Sequence, residues 1–364
     1  WEFWTDPDNA GIEAKWYHPE SLRPQGKEVS VPHTWQVDPE TWDYYGVAWY
    51  QRKVSIPSSW EGKRIQLEFD SVYRDTQVWV NGKKVGEHIG SGWTPFAFPL
   101  EDHLRYDREN EIVLRVDNCF SGNAIPYLDS FDWAPDGGII RSVRLSALPQ
   151  TYIERILADT LPNDDFSSAT LRFRVRIETS TEQENQHAIQ VIIYDPQGKR
   201  VKTDRLNIQS PAAQGNSVEV AIETITSNPI LWHFDQPRLY RVVCNLMDED
   251  NVIHTKETTF GIRHVEVKDG FYYLNGEPMR LMGVEWMPGS DPRYGMAESP
   301  EFMREILRDM KRLNCVLSRF HWQQDDAVFE FCDRNGMLLQ EEIPAWGPKT
   351  MDGDLEEIQA LQTR

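Results

Sequence analysis

The stretch LRFRVRI at residues 171–177 alternates apolar and charged side chains at every step. A period of two places the apolar side chains on one face of an extended strand and the arginines on the other. Similar alternation recurs at residues 218–222 and 240–246, and the polar turn DPQG at 195–198 lies between such segments. Repeated short strands separated by turns predict an immunoglobulin-like antiparallel β-sandwich over residues 148–263.

The preceding residues, 1–147, show the same strand pattern. Apolar residues alternate at 65–69 and at 112–116, and the pair Asn81 and Gly82 lies between these segments. Both residue types tolerate a positive φ, which a tight hairpin turn requires. No helical pattern interrupts this part of the chain, so we predict a second antiparallel β-sandwich here.

The hydrophobic period changes after Asp269 and Gly270. Short apolar runs at 279–285, 315–318 and 337–340 predict three strands, the first of them buried. Two stretches of helical periodicity separate these runs. Strand, helix, strand, helix and strand in this order predict the opening of a parallel α/β unit.

Capping residues mark where each helix begins. Ser299 followed by Pro300 predicts the start of the first helix, and Asp325 with Asp326 predicts the start of the second. Gly336 predicts a left-handed end to the second helix. The residues expected on the buried face of the first helix are Phe302, Met303, Ile306, Leu307, Met310 and Leu313. Those expected on the buried face of the second are Val328, Phe329, Phe331 and Cys332.

The α/β unit at 264–364 is expected to be incomplete, because three parallel strands leave an open edge and a partly covered face. A further helix is predicted around residues 355–361. The alternative is a small three-stranded α/β domain packed on the sandwiches. A chain that starts at Trp1 is expected to be a processed or trimmed product.

Composition narrows the class of partner. Lys and Arg number 38 and Asp and Glu 58, which gives a net charge of −20. Nucleic acids and anionic membranes bind basic surfaces, so neither is expected as a partner. No apolar run reaches the roughly 20 residues of a membrane-spanning helix. The 4 cysteines are far apart and are expected to be buried free thiols, without a disulfide framework or a zinc site.

Chemistry-bearing residues follow the three predicted parallel strands. These residues are Glu285 and Trp286, then Arg319, His321 and Trp322, then Glu341, Glu342 and Trp346. Because α/β folds place their sites at the carboxyl ends of parallel strands, we expect a shared site there. Charged groups hydrogen-bond sugar hydroxyls, and indole rings stack on the apolar face of a sugar, so the expected ligand is a carbohydrate.

Each of these residues also has a structural alternative. Arg319 can form a purely structural ion pair with Glu341 or Glu342, and His321 can be a hydrogen-bonded core histidine. Trp322 and Trp346 can simply cover the rim of the fold. The 14 tryptophans of the chain suit a large aromatic core as well as ligand stacking. Phosphate loops, zinc-protease motifs and nucleophile elbows are absent from the sequence.

An ordered set of motifs resembles glycoside hydrolase family 2, which contains β-galactosidases, β-glucuronidases and β-mannosidases. Motifs similar to the family's jelly-roll domain are VPHTW at 31–35, WYQR at 49–52, VWVNG at 78–82 and GGIIR at 137–141. Motifs similar to its immunoglobulin-like domain are LW at 231–232 and QPRLY at 236–240. Motifs similar to the start of its (β/α)8 barrel are FGIR at 260–263, LNGEP at 274–278, LMGV at 281–284 and QEEIP at 340–344.

The resemblance implies three domains: a jelly-roll sugar-binding domain at 1–147, an immunoglobulin-like sandwich at 148–263 and the first part of a TIM barrel at 264–364. It implies a retaining β-glycosidase acting on β-galactosides first, then on β-mannosides or β-glucuronides. The expected location is the periplasm or the cell exterior rather than the cytoplasm.

The resemblance also assigns roles to single residues. His321 matches a substrate-pocket residue, although Arg319 stands two residues before it where the family has Arg three before. Glu342 matches an acid beside the active centre that lies near a divalent cation in some members. It is therefore the one candidate metal ligand, and no other cofactor is implied. Asp132 matches a loop acid that reaches the site from the jelly roll.

Sugar specificity and catalysis stay open at this stage. Glu285 with Trp286 is closer to the Asn-Trp of mannosidases than to the Asn-Arg of galactosidases. The family's two catalytic glutamates lie later in the barrel than residue 364, and adjacent Glu341 and Glu342 point to opposite faces. This chain alone is therefore not expected to hydrolyse a glycoside.

Two other functions compete with the hydrolase. The chain can be a non-catalytic carbohydrate-binding or scaffold protein, given its two sandwiches and many tryptophans. The sandwiches can also serve dimer assembly, which predicts a homo-oligomer.

Overall fold

A computed structural model gives the fold and describes residues 1–119, 133–180, 186–209, 217–289 and 291–344. Within these ranges the chain consists mainly of β-strands, with two α-helices near its end. No helix in the described ranges is long and apolar enough to span a lipid bilayer.

Nine strands form the first block and pack as two antiparallel sheets. The strands are β1 (Glu2–Asp6), β2 (Lys27–Glu28), β3 (Val47–Ile56), β4 (Arg64–Phe69), β5 (Asp75–Val80), β6 (Lys83–His88), β7 (Phe96–Pro99), β8 (Arg108–Asp117) and β9 (Val143–Leu148). The larger sheet has the order β2-β1-β3-β8-β5-β6, and the smaller has the order β7-β4-β9. The two sheets enclose one apolar core, so the predicted β-sandwich is confirmed.

The predicted alternation and turn are present in this sandwich. Along β4 the side chains of Ile65, Leu67 and Phe69 are buried, and those between them are half-buried. Asn81 and Gly82 adopt φ values of +52° and +80° and join β5 to β6. The turn therefore uses the two residue types that a left-handed backbone favours.

Strand β8 departs from simple alternation because both of its faces are covered. Ile112 and Leu114 belong to the central core, whereas Val113 is buried on the outer face. Indole rings cover that outer face, where Trp49 and Trp79 stack with ring centroids 5.7 Å apart. A second apolar layer thus accounts for part of the tryptophan content.

Seven strands form the second block, again as two facing antiparallel sheets. The strands are β10 (Thr151–Pro162), β11 (Ser168–Thr179), β12 (Gln186–Tyr194), β13 (Arg200–Gln209), β14 (Ser217–Ser227), β15 (Tyr240–Asp248) and β16 (Asn251–Phe260). The sheet orders are β10-β11-β14 and β13-β12-β15-β16. Along β11 the residues Leu171, Phe173, Val175 and Ile177 are buried, while Arg172 and Arg174 are exposed, as the alternation predicts.

A small antiparallel sheet and a parallel α/β unit follow. The elements are β17 (Val265–Lys268), β18 (Phe271–Leu274), β19 (Glu277–Met279), β20 (Gly283–Glu285), α1 (Pro300–Arg312), β21 (Leu317–Phe320), α2 (Asp326–Asn335) and β22 (Leu338–Glu341). Strands β20, β21 and β22 are neighbours in that order, and both pairings are parallel. The parallel unit is as predicted, and the (β/α)8 barrel stays a prediction.

Both helices begin at the predicted capping residues. Ser299 Oγ accepts a hydrogen bond from the main-chain N–H of Phe302 at 3.2 Å. Asp325 Oδ1 accepts one from the main-chain N–H of Ala327 at 2.8 Å. Helix α2 ends at Gly336, which has a φ of +73°. Each end thus has the chemistry that the sequence indicated.

Several details differ from the sequence predictions. Leu313 follows the last residue of α1 and is 73% exposed, so it lies outside the buried face. The strand predicted as buried at 279–285 is reduced to β20, whose three residues are exposed because none of them packs into the core with the helices. Strands β21 and β22 begin two residues and one residue later than predicted. The helix predicted at 355–361 lies outside the described residues.

The cysteines are free thiols, but one prediction about them is wrong. Cys244, Cys315 and Cys332 are buried, as expected. Cys119 is exposed, because it lies just past the end of β8 and not in either core.

Candidate functional site

The parallel sheet has one face covered by helices and one open face. Trp286 and Phe320 point toward the helices, where they pack in a core with Met303 of α1. Successive side chains along a strand point to opposite faces. Glu285 and Arg319, one position away from those aromatic residues, therefore lie on the open face.

Four polar side chains meet on this open face: Glu285, Arg319, His321 and Glu342. We call them the polar cluster. Glu285 ends β20, Arg319 lies on β21, and His321 and Glu342 directly follow β21 and β22. The cluster therefore lies at the carboxyl ends of the parallel strands, where the sequence predicted a site.

Arg319 links the two carboxylates of the polar cluster. Its Nε and Nη2 donate to Glu342 Oε1 and Oε2 at 2.6 and 3.0 Å, which forms a bidentate ion pair. Its Nη1 donates to Glu285 Oε2 at 2.8 Å. The ion-pair partners are thus Glu285 and Glu342, and not Glu341. The side chains of Arg319, Glu285 and Glu342 are 37%, 41% and 32% exposed, so a ligand can reach them.

His321 completes the polar cluster and is more deeply placed. Its side chain is 9% exposed. Nδ1 lies 3.2 Å from Glu342 Oε2, and Nε2 lies 2.8 Å from Glu285 Oε1. One flat face of the imidazole stacks on Trp133, with ring centroids 5.3 Å apart and an interplanar angle of 24°. Both ring nitrogens and one flat face of the imidazole therefore have a specific neighbour.

The electrostatics of the polar cluster favour hydrogen-bond acceptance. Hydrogen bonds from Arg319 hold the pKa of the Glu342 carboxyl below its usual value, and the same contacts raise the pKa of Arg319. Glu342 is therefore an ionised acceptor at neutral pH rather than a proton donor. Two carboxylates and the remaining N–H groups of one guanidinium can hydrogen-bond the hydroxyls of a polyhydroxylated ligand.

Trp286 and Trp322 do not reach the open face. Trp286 is 5% exposed and contacts Phe320 edge to face, at 5.6 Å between centroids. Trp322 is 1% exposed and stacks on Trp93 at 4.3 Å. Trp286 packs into the core with the two helices, and Trp322 packs against aromatic rings of the first sandwich. The structure therefore gives both indoles a packing role, which corrects their predicted role in sugar stacking.

Two other predicted site residues, Asp132 and Trp346, lie outside the described residues. Glu341 is described and points away from the polar cluster. Its Oε1 accepts a hydrogen bond from the main-chain N–H of Gln324 at 2.7 Å. Adjacent Glu341 and Glu342 thus have different partners, as the period of two predicts.

The residues of the polar cluster do not suit a metal ion. Within the described ranges no group of three or more His, Cys, Asp or Glu side chains is arranged to hold one. Both oxygens of Glu342, the candidate ligand, accept hydrogen bonds from Arg319. A cation at this carboxylate would lie beside the positive guanidinium and be repelled by it, so the arrangement disagrees with a divalent-cation site here.

Sequence reasoning missed three neighbours of the site that come from the first sandwich. Trp133 stacks on His321, and Trp93 stacks on Trp322. Arg141 is buried and donates to the main-chain carbonyl of Gln323 at 2.6 Å. Trp133 directly follows Asp132, and Arg141 is the last residue of the GGIIR motif. The sequence therefore pointed to the neighbourhood of both residues. It did not point to Trp93.

A buried carboxyl on the loop between β20 and α1 was also missed. Glu298 is 1% exposed, and its Oε1 accepts a hydrogen bond from the main-chain N–H of Gly289 at 3.0 Å. Its Oε2 has no hydrogen-bond partner within the described part of the chain. Burial raises the pKa of Glu298 to about 7. This carboxyl therefore holds its proton up to nearly neutral pH.

Two family models match the chain in succession. The model described as "Glycosyl hydrolases family 2, sugar binding domain" matches residues 1–149. The model described as "Glycosyl hydrolases family 2" matches residues 151–263. Together they cover both sandwiches.

Relatives and solved structures agree with these matches. A β-galactosidase of Thermoanaerobacter pseudethanolicus is 30% identical over 330 residues, which are 87% of this chain and 42% of that protein. A putative β-glucuronidase of Formosa agariphila is 29% identical over 328 residues, 87% of this chain and 38% of that protein. The crystal structure of Bacteroides uniformis β-glucuronidase superposes with a TM-score of 0.86 at 28% identity, over 97% of this chain and 43% of that one. The chain thus spans about two-fifths of the length of these relatives.

Proposed function

The chain belongs to the glycosyl hydrolases of family 2, and from this premise we propose that it forms part of a retaining β-glycosidase. One observation carries the proposal. The polar cluster lies at the carboxyl ends of three parallel strands, on the face that the helices leave open. α/β folds bind their ligands at this end of the sheet.

In this proposal the polar cluster binds the sugar and orients it. Glu285 and Glu342 accept hydrogen bonds from sugar hydroxyls, and Arg319 fixes both carboxylates in place. His321 contributes the deep wall of the site. Rigidly held charged groups bind hydroxyls with defined geometry, which positions the anomeric carbon for attack.

The charge of the polar cluster supports a neutral sugar as substrate. The guanidinium of Arg319 already neutralises Glu285 and Glu342 in part, and it is flanked by them. The carboxylate of a glucuronide would approach two like charges, which costs free energy. We therefore place β-galactosides first and β-mannosides next, although both β-galactosidases and β-glucuronidases are among the relatives.

We also propose that the 364-residue chain on its own binds a sugar without hydrolysing it. Retaining hydrolysis needs two carboxyls about 5–5.5 Å apart, one of which must donate a proton. Glu341 and Glu342 have different partners on opposite faces. Arg319 holds Glu342 in its ionised form, which suits binding and not proton donation.

Hydrolysis of chromogenic substrates tests the proposed function. The complete gene product is assayed with the p-nitrophenyl β-galactoside, β-mannoside and β-glucuronide, and the 364-residue chain is assayed in parallel. We expect the complete product to cleave the galactoside fastest and the glucuronide slowest, and the 364-residue chain to cleave none. A folded complete product that cleaves no β-glycoside overturns the proposal.

A non-catalytic carbohydrate-binding or scaffold protein is the second candidate. It is favoured by the match of residues 1–149 to a family model described as a sugar binding domain. Both functions predict sugar binding by the 364-residue chain, which a titration followed by tryptophan fluorescence measures, and the activity of the complete gene product separates them. Tight saturable binding together with an inactive complete gene product supports this candidate.

A further inference from the structure

A stack of aromatic rings crosses from the first sandwich to the parallel sheet. We define the aromatic stack as Tyr73, Trp93, Trp133 and Trp322, which share one buried cluster. Trp93 and Trp322 are nearly parallel, with centroids 4.3 Å apart and an interplanar angle of 13°. Tyr73 lies 4.9 Å from Trp93, and Trp133 lies 5.3 Å from Trp322. Three of the four rings thus come from the first sandwich.

The aromatic stack ends on the imidazole of His321. Trp133 lies against one face of that ring at 5.3 Å, and the ring nitrogens face Glu342 and Glu285 along two different edges. A tilt of the imidazole out of its present plane would move both nitrogens away from these carboxylates. A flat indole against its face restricts any tilt of the imidazole, because tilting would drive the two rings into each other.

Trp133 is itself firmly held. It is 7% exposed, and its second contact, Trp322, is 1% exposed. Both rings belong to one buried aromatic cluster, and close packing in such a cluster restricts the movement of a ring. The orientation of Trp133 therefore restricts the orientation of the His321 ring.

From this geometry we propose that Trp133 is a positioning residue that fixes the imidazole of His321 between Glu285 and Glu342. In this proposal the first sandwich contributes a residue that positions a side chain of the sugar site. The part of this inference that concerns sugar rests on the proposed function. The part that concerns His321 stands on the contacts alone.

The test uses NMR spectra of the 364-residue chain with isotope-labelled histidine. The chain has 9 histidines, so the variant H321Q assigns the His321 signals. A ring that stacks on an indole has its proton signals displaced upfield by the ring current. Upfield-displaced His321 ring-proton signals in the wild type report the stack itself. If Trp133 positions the ring, we expect the two ring 15N signals to move in W133L, and less in W133F, as the contacts of Nδ1 and Nε2 with Glu342 and Glu285 loosen.

A matched control removes a buried indole elsewhere in the first sandwich. Trp79 is 5% exposed and stacks on Trp49 and Tyr17, in a different cluster. We expect W79L and W79F to leave the His321 signals unchanged. If W133L does not fold, the comparison of W133F with W79F decides. His321 ring 15N signals that stay the same in every Trp133 variant overturn the inference.

Sugar binding is measured separately, so that the two proposals can fail independently. Titration of the wild type, W133F and W79F with methyl β-D-galactoside gives three affinities. We expect weaker binding for W133F alone. If the His321 signals respond to Trp133 as expected but neither the wild type nor a variant binds sugar, the positioning role stands and the proposed sugar binding by the 364-residue chain is wrong.

Discussion

Arg141 of the first sandwich donates a hydrogen bond from Nη2 to the main-chain carbonyl of Gln323, 2.6 Å away and 182 residues later in the chain. Its Nη1 donates to the carbonyl of Trp93 at 3.2 Å. The guanidinium is buried, and burial lowers its pKa. One side chain therefore ties the segment that follows His321 and Trp322 to the first sandwich.

The variant R141M tests this tie. It leaves the carbonyls of Trp93 and Gln323 without the donor that Arg141 provides. The methionine side chain is apolar, so the variant avoids the cost of burying a charge. Hydrogen bonds to charged groups contribute about 1.5–3 kcal/mol each, so we expect a net loss of about 2 kcal/mol in the free energy of unfolding. Urea denaturation followed by tryptophan fluorescence measures it. R144M is the control, because Arg144 is 53% exposed and its loss is expected to cost under about 1 kcal/mol. Equal effects of the two variants contradict the account.

Glu298 makes stability depend on pH in a defined direction. Its pKa rises from 4.5 to about 7 on folding, so the folded chain keeps a proton that the unfolded chain has already released. The contribution of Glu298 to stability is therefore complete at acidic pH and is lost as the pH rises through about 7. This pKa shift changes the free energy of unfolding by about 3 kcal/mol at most.

The variant E298Q should remove this dependence. Glutamine keeps an acceptor for the N–H of Gly289 but has no charge to bury. The difference in unfolding free energy between E298Q and the wild type should grow in favour of E298Q from about pH 5 to about pH 8. E301Q, at a side chain that is 80% exposed, should show no such trend. Parallel stability curves for E298Q and the wild type would show that Glu298 is not buried as described.

Gly336 combines a left-handed backbone with a close contact between two blocks. Its φ is +73°, and a Cβ there would lie 2.0 Å from the carbonyl oxygen of Phe234. Gly62 has nearly the same φ, +77°, with nothing within 4 Å. We expect G62A to cost about 1–2 kcal/mol through the backbone alone, and G336A to cost at least about 3 kcal/mol. Thermal unfolding of both variants measures the difference, and similar costs contradict the contact with Phe234.

Much of the fold could be predicted because local patterns decided it. The alternation along β4 and β11, the Asn81–Gly82 turn and the caps Ser299 and Asp325 each depend on residues close in sequence. The second face of β8 could not be predicted, because Val113 is covered by tryptophans from distant segments. The exposure of β20 likewise depends on which distant segments cover it, which periodicity does not report.

The candidate site could be predicted in part for a related reason. The order of strands and helices predicts that residues after each parallel strand lie close together, and the structure brings Glu285, Arg319, His321 and Glu342 into contact there. The rule that adjacent residues point to opposite faces was applied to Glu341 and Glu342 but not to their counterparts on the other strands. The same rule places Trp286 opposite Glu285, in the core with the helices, whereas the burial of Trp322 depends on aromatic rings of the first sandwich. The stack from the first sandwich required the tertiary fold.

The most direct measurement compares two adjacent glutamates in the complete gene product. E342Q removes the charge that Arg319 holds in the polar cluster, whereas E341Q changes the opposite face and keeps an acceptor for Gln324. On the best chromogenic β-glycoside we predict that E342Q lowers kcat/KM by about 10- to 100-fold, as expected for lost charged hydrogen bonds, and that E341Q stays within about threefold of wild type. Equal losses in the two variants, or an E342Q variant with wild-type kcat/KM, would contradict a sugar site at the polar cluster.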